Sequence, residues 1–104
     1  MPWRNGRLKV TSSSRSDLQE KAEFLKALAH PTRLAILEVL KDGPLCVQNV
    51  GELLERPQPN ISQHLAVLKK ANLITYTEQG KQRCYSQKHP ELISRLLTLL
   101  AHTP

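Results

Sequence analysis

The sequence predicts a mainly α-helical domain of about five helices with a small antiparallel β-hairpin of two to three strands. Three observations predict it. Apolar residues recur at three- and four-residue spacing through most of the 104-residue chain. A tight break, Arg56-Pro57-Gln58-Pro59, separates two such runs. The stretch Leu73 to Gln87 is rich in strand-forming residues on both sides of Gly80.

The chain is short enough for one domain and long enough for a modest core. Hydrophobic residues make up 39% of it and aromatics 4%, so the core should be Leu, Ile, Val and Ala. Fifteen Lys and Arg against nine Asp and Glu leave a net charge of +6. That balance favours a polyanionic partner, and nucleic acid fits better than membrane. No apolar run approaches a membrane span, and the N-terminus lacks the apolar core of a secretion signal. A cytoplasmic location is expected, where the two cysteines would ordinarily be reduced thiols.

Residues 1–15 are basic and Ser-rich and are expected to form a disordered arm carrying Trp3, with the folded domain spanning 16–104. Ser16 and Gln19 have the spacing of a capping box, predicting a first helix from Ser16 to Ala29. Leu18, Ala22, Leu25, Leu28 and Ala29 run down one face of it. A second helix is predicted from Pro31 or Thr32 to Lys41, stopped by Asp42-Gly43-Pro44. Leu45 and Cys46 suffice only for a bridge-length strand.

Val47, Val50, Leu53 and Leu54 place an apolar face on a third helix, and Ile61, Leu65 and Leu68 do so on a fourth. Pro57 is expected to end the third helix, and Pro59 suits the first turn of the fourth. Two short helices around a tight break have the form of a helix-turn-helix. The fourth helix presents Gln58, Asn60, Ser62 and Gln63 near its N-terminus, the end from which a recognition helix reaches base edges. Lys69 and Lys70 at its other end suit phosphates. His64 flanks the apolar face and serves equally in packing or phosphate contact.

Ile74 to Thr77 and Arg83 to Ser86 are predicted strands around a turn at residues 78–81. Lys81, Gln82 and Arg83 cluster near the tip. A basic hairpin beside a recognition helix suits a wing lying on the DNA backbone or in the minor groove. Solvent-exposed polar surface is the plain alternative for both faces. His89-Pro90-Glu91 opens a last helix whose Leu92, Ile93, Leu96, Leu97 and Leu100 exceed what one small domain needs to cover. With Leu18 and Leu25, these residues are expected to form a two-fold dimer interface presenting two reading helices to a palindrome.

From about Phe24 to Leu100 the chain resembles the ArsR/SmtB family of winged helix-turn-helix repressors. The resemblance rests on LKALAHPTRLAILEVL at 25–40, PLCV at 44–47, QPNISQHLAVLKKANLI at 58–74 and GKQRCY at 80–85. It implies a homodimeric repressor on an inverted-repeat DNA operator, released by an inducer such as arsenite, zinc, cadmium, nickel, reactive sulfur or an oxidant.

The inducer is where the sequence departs from the best-known members. Arsenic-responsive relatives carry C-V-C-D-L-C where this chain has Cys46-Val47-Gln48-Asn49-Val50-Gly51, and one thiolate is too few for arsenite. His89, Glu91 and His102 do not match the zinc-site spacing on the last helix. No cofactor is expected, with a metal as the alternative. In a winged helix the short first strand pairs with the returning strand of the wing. This offers Cys46 and Cys84 as an oxidisable pair. Inert packing, with Cys84 pointing away and Tyr85 inward, is the competing placement. A metal-responsive repressor, a constitutive regulator and a protein-contact module are the rival functions. An enzyme is not expected, since the four histidines lack ligand or triad spacing and no glycine-rich phosphate loop is present.

Overall fold

The structure, a computed structural model, describes residues 12–101. Trp3, most of the expected arm and His102 lie outside them. Five helices and three strands follow in order: α1 (Ser12–Leu28), α2 (Pro31–Val39), β1 (Leu45–Cys46), α3 (Val47–Leu54), α4 (Gln58–Lys70), β2 (Ile74–Gln79), β3 (Gln82–Gln87) and α5 (Pro90–Leu100). The strands form one antiparallel sheet in the order β1-β3-β2. This is the expected winged helix-turn-helix architecture.

Helix α1 starts four residues before the expected capping box, so Ser16 lies inside it. Gln19 bonds Glu23 one turn on at 3.2 Å, and Lys21 pairs with Asp17. These i,i+4 pairs support a continuous helix and leave Gln19 with no cap to make. The step to α2 is built by His30-Pro31-Thr32-Arg33. His30 Nδ1 accepts the Thr32 N–H at 3.1 Å, and Pro31 takes a position whose N–H would be unpaired. Arg33 Nε donates to the Ala27 carbonyl at the end of α1, at 2.6 Å.

Both helices of the helix-turn-helix end in the same left-handed motif. After α3, Glu55 has φ 52°, and the Arg56 N–H bonds the Gly51 carbonyl at 3.0 Å. After α4, Asn72 has φ 64°, and the Leu73 N–H bonds the Leu68 carbonyl at 3.0 Å. These six-to-one bonds satisfy carbonyls that a helix end leaves open. Glu55 therefore ends α3, and Pro57 instead caps the start of α4, a correction to the sequence expectation. Gly51 makes the tight crossing possible: a Cβ there would stand 3.2 Å from the Arg56 carbonyl oxygen.

Ile61, Leu65 and Leu68 of α4 are fully buried in one core with Ile36 and Leu37 of α2, Leu40 at its C-cap, Val50 of α3, Leu73, Ile74 and Ile93. Each such side chain contributes about 1.5–3 kcal/mol by leaving water. Two expectations need correcting. Leu53 is 60% exposed, because Gly51 and Val50, not Leu53, face α4. Ile93 is 1% exposed within the protomer and belongs to its core, where Leu96 and Leu97 also pack. The hairpin turn is shorter than expected, with only Gly80 and Lys81 between the strands. Gly80 has φ 64° at the first loop position, which a two-residue hairpin of this hand demands of its residue.

Candidate nucleic-acid interface

An open groove of about 690 Å³ lies between α4, the start of α3 and the hairpin. Its lining gathers Gln58, Ser62, Lys69 and Lys70 from α4 and Lys81, Gln82 and Arg83 from the wing. Val47, Gln48, Ala66 and Tyr85 complete it and were not among the DNA-contact residues expected from the sequence. Strand pairing could have suggested Tyr85, since it shares a face with Arg83. No carboxylate lines the groove. The ion pairs among the described residues lie elsewhere, within α1, at the end of α2 and within α5. The groove's cations are thus uncommitted to carboxylates, and their summed potential favours phosphate.

Gln58, Ser62 and Gln63 are all exposed on α4, with Gln63 outside the groove lining on the same helix. Asn60 is half-buried and its Oδ1 is enclosed without a hydrogen-bond partner, so it faces the protein more than the other three. The first turn of α4 contains no acidic residue and its last turn holds Lys69 and Lys70. An uncompensated helix N-terminus attracts anions.

His64 points away from the groove. Its ring lies 4.5 Å from the His30 ring, and its Nδ1 accepts from the Arg33 guanidinium at 3.4 Å. These contacts favour packing for this half-buried ring. Burial first, then the positive fields of His30, Arg33 and Arg56, lower the His64 pKa below its ordinary 6.5. A histidine whose folded-state pKa is depressed binds its proton more readily in the unfolded chain. Stability is therefore full above about pH 6.5 and falls as pH drops from there through the lowered folded value. Urea unfolding at pH 7.5 and pH 5.5 should show a smaller loss in His64→Gln than in the parent. Equal losses would mean that His64 takes no part.

Cys46 and Cys84 are joined by a disulfide. The sheet register sets them directly opposite each other, Cys46↔Cys84, with Leu45 opposite Tyr85. Cys84 is buried, and so is Tyr85 on the other face of the strand. Cys84 therefore does not point away from Cys46, a correction to the inert-packing placement, while Tyr85 does turn into the core as that placement expected. Cys46 is also the N-cap of α3, and its neighbour Val47 lines the groove, as does Arg83 beside Cys84.

In the disulfide form neither Cys46 nor Cys84 carries a thiolate. His89 and Glu91 are exposed at the start of α5. Among the described residues no three His, Cys, Asp or Glu side chains converge as metal ligands.

The expected dimer surface divides in two. Leu18, Leu25 and Leu92 stand exposed with Leu99 and Leu100 on α1 and α5, whereas Ile93, Leu96 and Leu97 serve the protomer's own core. Among the described residues, no helix is long and apolar enough to cross a membrane.

Residues 30–76 match the family described as bacterial regulatory protein, arsR family. The HTH-type transcriptional repressor SmtB of Mycobacterium tuberculosis is 36% identical over 88 residues, covering 85% of this chain. The match spans only 65% of that repressor's own length. The transcriptional repressor PagR of Bacillus anthracis is 36% identical over 76 residues, 72% of this chain and 76% of PagR. Among solved structures, the homodimeric winged helix-turn-helix DNA-binding domain of Mb0332 from Mycobacterium bovis superposes with a TM-score of 0.83. That likeness covers 90% of each chain at 22% identity and concerns the fold.

Proposed function

The chain belongs to the arsR family of bacterial regulatory proteins, and from that premise we propose that it is a DNA-binding transcriptional repressor. It acts as a homodimer on an inverted-repeat operator in the cytoplasm and is released when Cys46 and Cys84 are oxidised to their disulfide. Its work is binding, with no catalytic step.

The observation that carries this reading is the groove. It joins the exposed amides and hydroxyl of α4 to the cations of α4 and the wing, with no carboxylate in its lining. Gln58, Ser62 and Gln63 are the base-reading candidates, since side-chain amides pair with adenine edges. Lys69, Lys70, Lys81 and Arg83 hold phosphates, which positions the helix without reading sequence. A bare protein-contact module would not require this charge pattern.

The release reading rests on the disulfide between the N-cap of α3 and the wing. A two-electron oxidant such as hydrogen peroxide takes two electrons and two protons from the thiols. It leaves two waters and one S–S bond. The bond ties β3 to the entry of the reading motif and so restricts how the wing can adjust to a duplex.

The test uses an operator selected from a random duplex pool, with affinities followed by fluorescence anisotropy. Parent affinity should fall steeply as salt rises, as for any ligand held through several phosphates. Gln63→Ala should weaken operator binding about 5- to 100-fold, the cost of one lost base contact. Its binding to random duplex should hardly change. Equal losses on both duplexes would remove Gln63 from base reading, and salt-independent binding would point to a protein partner.

A further inference from the structure

Tyr76 has no part in the base or phosphate contacts assigned above, yet two groove cations rest on its ring. Lys69 Nζ lies 5.3 Å from the ring centroid, and the Arg83 guanidinium carbon 4.7 Å from it. The first belongs to the recognition helix and the second to the wing. Both distances fall within the range in which a ring's electron-rich face attracts a cation.

The register explains the meeting. Tyr76 is directly opposite Tyr85, their ring centroids 5.4 Å apart, and Arg83 is the diagonal neighbour on the same face. Glu78 sits directly opposite Arg83, but no ion pair joins them. Arg83 turns to the ring instead. Tyr85 is buried and Tyr76 half-buried, so the ring is held from beneath while the cations stay exposed.

We propose that Tyr76 is a positioning residue for DNA binding: its ring holds Lys69 and Arg83 at a fixed span before a duplex arrives. The proposal rests on reading the groove as a DNA-binding surface. Long Lys and Arg chains lose rotamer freedom when they fix a phosphate, and holding them beforehand lowers that cost. A guanidinium stacked on a ring keeps its N–H donors in its own plane, directed outward.

The experiment compares the full-length parent, Tyr76→Phe and Tyr76→Leu. Affinity for the selected operator and for a random duplex is measured across a salt series. Side-chain proton shifts of Lys69 and Arg83 are read by NMR without DNA. The ring should move both sets of protons upfield in the parent and in Tyr76→Phe. Tyr76→Phe should bind like the parent. Tyr76→Leu should lose about 5- to 20-fold on both duplexes, with a salt slope shallower by about one to two, the signature of lost phosphate contacts.

A merely structural tyrosine would not move the salt slope. An unchanged slope and affinity in Tyr76→Leu overturns the proposal, and so does a Tyr76→Phe as weak as Tyr76→Leu. The NMR measurement on the parent needs no variant, so it remains decisive if Tyr76→Leu does not fold. A parent that binds both duplexes but shows no upfield shifts overturns the positioning role alone. A parent with upfield shifts that binds neither duplex overturns the DNA reading on which it rests.

Discussion

The Leu92→Glu protein is expected to sediment as a monomer and to lose at least about 100-fold in operator affinity. Leu92 is 51% exposed and Leu25 59% exposed on the protomer, on helices α5 and α1. Leucines so exposed on two helices form the kind of contiguous apolar area that marks a partner surface. A second copy related by a two-fold axis would cover them and present two recognition helices to the two half-sites. A carboxylate in such an interface is desolvated without a partner, which drives dissociation. The affinity loss follows because linked half-sites gain about 10²–10⁴ in avidity that a monomer forfeits. Binding to an isolated half-site should be nearly unchanged. Leu25→Glu should behave in the same way. Leu96 is a poorer test, since it also packs on the protomer core, and a charge there would mix folding with assembly. An unchanged sedimentation mass in both variants would place the interface elsewhere.

Oxidation of the parent should lower operator affinity about 5- to 150-fold, the ordinary range of coupling between two sites. The reduced protein, prepared with dithiothreitol, is the tight binder. Stoichiometric hydrogen peroxide forms the Cys46–Cys84 bond, and fresh reductant restores affinity. Cys84→Ser should bind like the reduced parent and ignore the oxidant. Thermal unfolding gives an independent reading, because the bond closes a loop across a sequence separation of 38. Restricting the unfolded chain in that way typically contributes about 2–4 kcal/mol, so the oxidised parent should melt higher than the reduced one. A higher melting temperature with unchanged affinity would make the disulfide a structural staple. An affinity loss that persists in Cys84→Ser would assign the effect to another residue. Titration of the reduced parent with zinc and with arsenite follows, and release by either would favour a metal-responsive repressor.

Much of the fold was legible because the relevant forces are local. The three- and four-residue spacing of Ile61, Leu65 and Leu68 needs only helix geometry to show a buried face, and all three are fully buried. Gly80 marked the hairpin because few other residues tolerate its positive φ. The bridge-length strand at Leu45–Cys46 was read from the few residues left before α3, and its pairing with the wing followed from the winged-helix expectation. Errors arose where neighbouring turns compete. The Ser16 box is a valid helix start, yet i,i+4 pairs from Asp17 onward suit a helix already under way. Pro57 is a valid helix breaker, but the left-handed Glu55 ends α3 two residues earlier.

The candidate site divides along the same line. The sequence by itself determined the helix order, the basic wing next to a polar helix start, and the pool of amides and cations available to DNA. These depend on residue type and on periodicities of 3.6 and 2, which are properties of a single element. Only the tertiary structure decided which members of that pool share a groove, that Asn60 and His64 are half-buried outside its lining, and that Ile93 belongs inside while Leu92 stays outside. The same holds for Cys46 against Cys84 and for the ring of Tyr76 under Lys69 and Arg83. Each of those outcomes depends on strand register and on how helices cross. Register and crossing are set by the packing of side chains distant in sequence, and no local spacing records them.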